Sequence, residues 1–158
     1  MEGESSNNYP YSRHWIFQFN PDIYDWFGWI NENRSSEQWL VSRFARFICV
    51  GDKVVIWASG EKGGIYALGE TITYPLKNPL NPEQAKYYTA NAKADVDKFK
   101  EKPSVFIKYL KVFIEKPISK DLCKKDKVLS TLELNDFANA TNFKLSKMQW
   151  NRILEMVQ

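Results

Sequence analysis

Apolar and polar residues alternate from His14 to Asn20 (HWIFQFN), which predicts a half-buried strand ended by Pro21. Ile23 to Asn31 follows with Trp26, Phe27 and Ile30 at helical spacing, a short helix that Gly28 weakens. A polar turn, ENRSS, covers 32–36. The spacing from Glu37 to Phe47 is mixed, so this part reads as a strand or an extended loop around Trp39, with a helical turn over Arg43 to Ile48 that leads into Gly51-Asp52. The strongest local pattern is GDKVVIWASGEKGGIYALGE: a strand from Lys53 to Trp57, a turn at Ser59-Gly60, then a strand from Ile65 to Glu70. Two apolar runs joined by a short Gly-bearing loop predict a hairpin.

Three prolines make 71–82 a loop. Pro82 to Lys100 reads as one helix, with Asn81 as its cap, Pro82 in its first turn, and a narrow stripe of Ala85, Tyr88, Ala92, Val96 and Phe99 facing inward. Ser104 to Glu115 carries β-branched and aromatic residues throughout and predicts a long strand. Residues 119–130 lead into a short helix or turn around Leu132, Leu134 and Phe137, and 139–142 is a polar turn. Ser146 opens a final helix whose Met148, Trp150, Ile153, Leu154 and Val157 form a stripe able to close one end of a barrel. Strands and helices in this mixture predict one α+β domain, a curved sheet with helices around it. Its bounds are 13–158, after a flexible lead over 1–12.

A length of 158 residues suits one domain with a core of its own. No apolar run reaches the ~20 residues that span a bilayer, and the N-terminus has neither the basic start nor the apolar segment of a signal peptide, so the expected compartment is the cytoplasm. Cys49 and Cys123 are far apart and His14 is the single histidine, which argues against a metal site and leaves a Ser-His-Asp triad without a nucleophile elbow. Cys49, within FICV, is expected to be a buried thiol. Asp25, Asp52 and Glu70 look like scattered turn or surface carboxylates rather than an acid–base pair, so no enzyme and no cofactor are expected.

The net charge of +3 is unevenly placed: between Lys86 and Lys127 twelve lysines face six acidic residues, a local +6 that leaves −3 elsewhere. Such a face attracts a polyanion or is an ordinary solvated surface. Six tryptophans divide in the same way between core and site. Trp39 lies in a polar context and is assigned to a site. Trp57 ends an apolar strand and fits core or pocket floor equally; Trp15, Trp26, Trp29 and Trp150 are assigned to the core.

HWIFQFNP, a lone Trp in QWLVSR, GDKVVIWASG, GIYALGE and KPIS, in that order, resemble the EVE domain of the PUA-like group, which also includes the YTH readers of methylated RNA and relatives in methylation-dependent restriction systems. The resemblance runs from His14 to about Pro117 and implies a mostly antiparallel barrel of five or six strands with flanking helices. It also implies a module that receives a flipped-out modified base. Carried over by position, Trp39 matches the first cage tryptophan, Phe19 and Asn20 the end of the first strand, and Trp57, Ser59 and Gly60 the pocket floor. The second ring, a tryptophan in YTH domains, is replaced here by a tyrosine: Tyr74 first, then Tyr87 or Tyr88. Arg43, Arg46, Lys93, Lys98 and Lys108 are the expected phosphate contacts.

The chemistry agrees with that resemblance. Extruding a base costs a few kcal/mol, and an aromatic face returns roughly 1–3 kcal/mol per stacked base. Ser59 and Asn20 offer donors and acceptors for a base edge. A buried methyl adds only about 1 kcal/mol, so selectivity needs penalties against the wrong base as well. The expectation is a non-catalytic reader of methylated adenine or cytosine in DNA, serving a nuclease or NTPase partner and not a membrane. The alternative is an RNA-binding module that reads RNA shape or a modified RNA base.

Overall fold

The computed structural model describes residues 13–32, 35–135 and 140–158. The expected lead over 1–12, Phe137 and part of the turns at 32–36 and 139–142 lie outside them. Among the described residues seven strands form one sheet: β1 (His14–Phe19), β2 (Ser36–Leu40), β3 (Lys53–Ala58), β4 (Gly64–Thr71), β5 (Ser104–Val112), β6 (Ile118–Ser119) and β7 (Asn142–Leu145). Their order is β2-β5-β4-β3-β1-β7, with β6 added to β4. Only β1 and β3 pair in parallel among the described pairings; the others are antiparallel. The sheet curls into a half-barrel flanked by helices α1 (Trp26–Asn31), α2 (Pro82–Ala85), α3 (Lys93–Glu101), α4 (Lys120–Lys125) and α5 (Lys147–Met156).

Alternation along the strands sorts side chains onto two faces. Trp15, Phe17 and Phe19 of β1 join Val54, Ile56 and Ala58 of β3 in an aromatic cluster inside the curl, with Trp26, Trp29 and Trp39. Ile16, Val55 and Trp57 point the other way, into a second cluster sealed by Cys123 of α4, Leu129, Leu132 and Trp150 and Ile153 of α5. The strands therefore bury both faces, which explains why β3 and β4 read as nearly continuous apolar runs.

Polar groups join the sheet where ladders do not. The buried Asn142 accepts from the backbone N–H groups of Ser42 and Arg43 at 2.9 and 3.0 Å and donates to the Arg43 carbonyl at 2.6 Å, tying the exit of β2 to the start of β7. Asp52 is buried too, and accepts from Arg13 Nε at 2.7 Å, Trp15 Nε1 at 2.8 Å and the Cys49 amide at 2.9 Å. Of the two expected roles, turn or surface carboxylate, it has the first: a buried anchor of the turn before β3.

Other expectations change as well. The helix expected over 82–100 is two helices. Asn81 caps α2 as expected, its side chain accepting from the Glu83 amide at 3.0 Å, but the chain then turns away. Tyr88 pairs with Tyr24 as an isolated bridge and the Thr89 amide donates to the Ile23 carbonyl at 2.9 Å, so tertiary pairing overrides helical propensity. The strand expected to Glu115 stops at Val112, and β7 replaces part of a supposed turn. Cys49 is half-buried, and it is Cys123 that is buried. Met148 is left out of the apolar stripe of α5 at 70% exposure, while a full capping box between Ser146 and Gln149 starts that helix.

Candidate functional site

The end of β1, the middle of β2 and the exit of β3 converge on a cavity of about 440 Å³, also lined by Tyr88 and by Asp95, Lys98 and Phe99 of α3. Phe19 and Trp39 reach it from the aromatic cluster and are themselves almost fully buried. Tyr24 and the half-buried Tyr88 stack at 4.5 Å between ring centroids and 29° between planes. Trp39 meets Phe17 and Phe19 edge-on at 6.0 and 6.3 Å, and Tyr24 at 6.5 Å. Such edge contacts hold rings in fixed orientations. The polar groups on the lining are Gln18, Asn20, Ser59 and Thr141 near the strand ends, Gln38 on β2, and Asp95 and Lys98 on α3. The lining therefore mixes aromatic rings with polar groups, and the volume falls in the ~300–1,000 Å³ range of small-ligand pockets.

Behind Trp39 lies a carboxyl that the sequence reading passed over. Glu37 shares the inward face of β2 with Trp39, two residues on, and is buried. The hydroxyls of Tyr24 and Tyr109 donate to it, and Trp26 Nε1 donates at 3.1 Å. Burial pushes the Glu37 carboxyl up to about 8, against the hydrogen bonds from Tyr109, Tyr24 and Trp26, which favour its charged form. Burial, with Glu37 close by, also raises the Tyr24, Tyr88 and Tyr109 hydroxyls, which stay neutral donors. This network fixes the Tyr24 ring that walls the cavity. Nothing in the polar run SSEQW announces a buried carboxylate; its partners stand 11, 13 and 72 residues away.

The expected site residues divide among three places. Trp39, Phe19, Asn20 and Ser59 line the cavity together, and Lys98 stands at its rim. Trp57 and Gly60 line a second cavity beyond the Ser59-Gly60 turn, with Ser59 shared between the two. Tyr74 lines neither; it is 61% exposed on the loop after β4, and the rings that share the first cavity with Trp39 are Phe19, Tyr24 and Tyr88.

The cations differ in their freedom. Arg43 is held by Glu133 at 2.8 Å and the Asn142 carbonyl at 3.1 Å, with its guanidinium 4.7 Å from the Phe44 ring centre. Arg46 is exposed. Lys93 bonds Asp97 at 2.7 Å, Lys98 lies 3.8 Å from Asp95, and Lys108 lies 3.6 Å from Glu70. Exposed pairs of this kind are weak and exchange readily for another anion. Among the described residues no group of His, Cys, Asp and Glu side chains is arranged to hold a metal, and no helix is long and apolar enough to cross a membrane.

The curled mixed sheet with flanking helices is a PUA-like fold. The EVE domain family matches residues 13–156, and the chain belongs to that family. Among solved structures it is similar to a protein from Pseudomonas putida, with TM-score 0.66 and 19% identity over 92% of this chain and 99% of that one. A hypothetical protein from Leishmania major superposes with TM-score 0.66 and 16% identity, over 90% and 92% of the two chains. Human THYN1 protein, in complex with DNA containing 5-methylcytosine, gives TM-score 0.63 and 14% identity over 90% and 96%. None of the curated proteins matches the chain in sequence.

Proposed function

We propose that this domain is a non-catalytic nucleic-acid reader that accepts one modified base of DNA into the cavity lined by Phe19, Trp39, Tyr24 and Tyr88. The observation that carries this reading is the cavity itself: about 440 Å³, lined by Phe19, Trp39, Tyr24 and Tyr88 beside Asn20 and Ser59. Membership of the EVE family and the likeness to a protein crystallised with methylcytosine DNA support it. An inserted base exchanges its stack in the duplex for aromatic faces that are already held in place, and prior ordering lowers the cost of binding. Asn20 is exposed at the rim, and its Oδ1 accepts from the Asp22 amide at 2.9 Å, which leaves its amide N–H₂ to donate to a base carbonyl or ring nitrogen. Ser59 Oγ donates or accepts, so the two cover both kinds of edge atom. Lys98 supplies charge at the mouth. The sequence has no GK[ST] phosphate loop, so any nuclease or NTPase step belongs to a partner that this module would target.

Fluorescence anisotropy at one fixed salt concentration tests the reading, with matched DNA and RNA oligonucleotides that are unmodified or carry methyl-adenine, methyl-cytosine or hydroxymethyl-cytosine. Tighter binding to one modified DNA supports it. Tighter binding to RNA than to every DNA assigns the module to RNA, and equal, salt-sensitive binding to all removes the reader.

A further inference from the structure

The turn after β3 separates two cavities rather than bounding one. The second, of about 510 Å³, is lined by Trp57, Gly60, Gly63, Lys120, Lys124 and Leu134, and shares Gln18 and Ser59 with the first. Lys120 and Lys124 are one helical turn apart on α4 and both face this cavity. Neither is in an ion pair among the described residues; eight other lysines share that property, but none of those eight lines either cavity. Glu61 and Asp121, the carboxylates next to this segment in sequence, are not on the lining.

The turn is built to let a lysine lie against it. A Cβ on Gly63 would stand 3.0 Å from the Gly60 carbonyl and 3.3 Å from Lys120 Cδ, so glycine leaves room for the Lys120 stem. Gly60, at φ +90°, makes the turn itself. Two cations without partners, in a concavity that adjoins an aromatic pocket through Ser59, match an anion that is attached to what the pocket holds.

We infer that this second cavity binds the phosphodiester backbone beside the inserted base, with Lys120 and Lys124 as its phosphate contacts. The inference rests on the first cavity being the base pocket. Backbone contacts of this type position the strand and carry no sequence information, so the two cavities divide the work: one recognises the base and the other holds its register.

A backbone-neutralisation experiment on the whole chain separates the two claims. The probes are duplexes with one modified base and a single uncharged methylphosphonate linkage, moved one position at a time along the strand. For the unaltered protein, one or two linkages flanking the modified base should weaken binding. In Lys120→Ala/Lys124→Ala, affinity should fall, the slope of log K against log salt should drop by roughly 1 to 2, and sensitivity to those linkages should vanish. The ratio of modified to unmodified affinity should be unchanged, and Lys120→Arg/Lys124→Arg should restore binding. Both lysines are exposed, so the fold, followed by circular dichroism, should survive either change. A double-alanine variant that binds as tightly as the unaltered protein, stays sensitive to the same linkages, or loses base preference overturns the inference. Failure of the base pocket has a different signature: no modified-base preference in the unaltered protein and no effect of Trp39→Ala, whatever the lysine variants do.

Discussion

The two faces of the sheet are both buried, yet they are built from different materials. The inner face is aromatic and contains buried acids: Trp15, Trp26 and Trp39 surround or touch Glu37 and Asp52, each held by hydrogen bonds from side chains distant in sequence. The outer face is largely aliphatic, with Ile16, Val55, Ile65, Leu68, Leu129 and Ile153 closed over by α4 and α5. The outer face is held by close packing, with polar links such as Arg152–Asp126 at 2.8 Å at its edge. The inner face accepts the cost of desolvating acids, and in return its rings have fixed orientations and one end stays open as a cavity. The proposed base pocket thus belongs to the inner face, while the outer face carries most of the aliphatic core and, where α4 meets the Ser59-Gly60 turn, the proposed phosphate contacts.

That division can be broken from either side. The largest effect is expected from Ile153→Ala, a fully buried residue of the outer face, which should cost ~2–5 kcal/mol in urea unfolding while leaving base preference intact under folding conditions. Loss of preference in a variant that is still folded would show the faces to be coupled.

Next comes pH. Glu37 keeps its proton to about 8 in the folded chain against an ordinary value of 4.5, so between these values the unfolded chain has released a proton that the folded chain retains. Stability from this group should be present below about pH 4.5 and be lost as pH rises toward 8, at no more than about 1.4 kcal/mol per pH unit for one proton. Glu37→Gln should flatten that part of the stability profile measured by urea titration at several pH values. An unchanged slope would remove Glu37 as its source.

Smaller effects sharpen the picture. Ser146→Ala removes the cap of α5 and should cost about 1 kcal/mol by thermal unfolding, again without a change in preference. Tyr74→Ala should be nearly silent, within about 0.5 kcal/mol for stability and without effect on binding, because the ring is exposed and outside both cavities. Loss of modified-base preference in that variant would return the second wall to the loop after β4.

Four strands were readable because their apolar runs are long and bounded by Pro and Gly, whereas β2, which carries Trp39, has a polar start and its spacing left strand and extended loop open. β1, β3, β4 and β5 all fall where the pattern puts them, give or take three residues. The gathering of Trp39, Phe19, Asn20 and Ser59 was legible only through the family resemblance, since strand order is not written in local periodicity. What stayed hidden depends on tertiary partners. β7 has only four residues and begins with a fully buried asparagine, which in sequence looks like a turn. The break between α2 and α3 comes from Tyr88 docking on Tyr24. Tyr24 itself stood at the start of a predicted helix and drew no attention, although it walls the cavity and reports on Glu37.

On the proposed reading, a base stacks against Trp39 inside the inner-face cavity. The most direct test is the affinity ratio of modified to unmodified duplex for the unaltered protein, Trp39→Phe and Trp39→Ala, each checked for folding by near-ultraviolet circular dichroism. A base stacked on Trp39 predicts that Trp39→Ala loses roughly 1–3 kcal/mol of binding to the modified duplex and brings the ratio to about 1, with Trp39→Phe between. A folded Trp39→Ala protein that keeps the full ratio would contradict it.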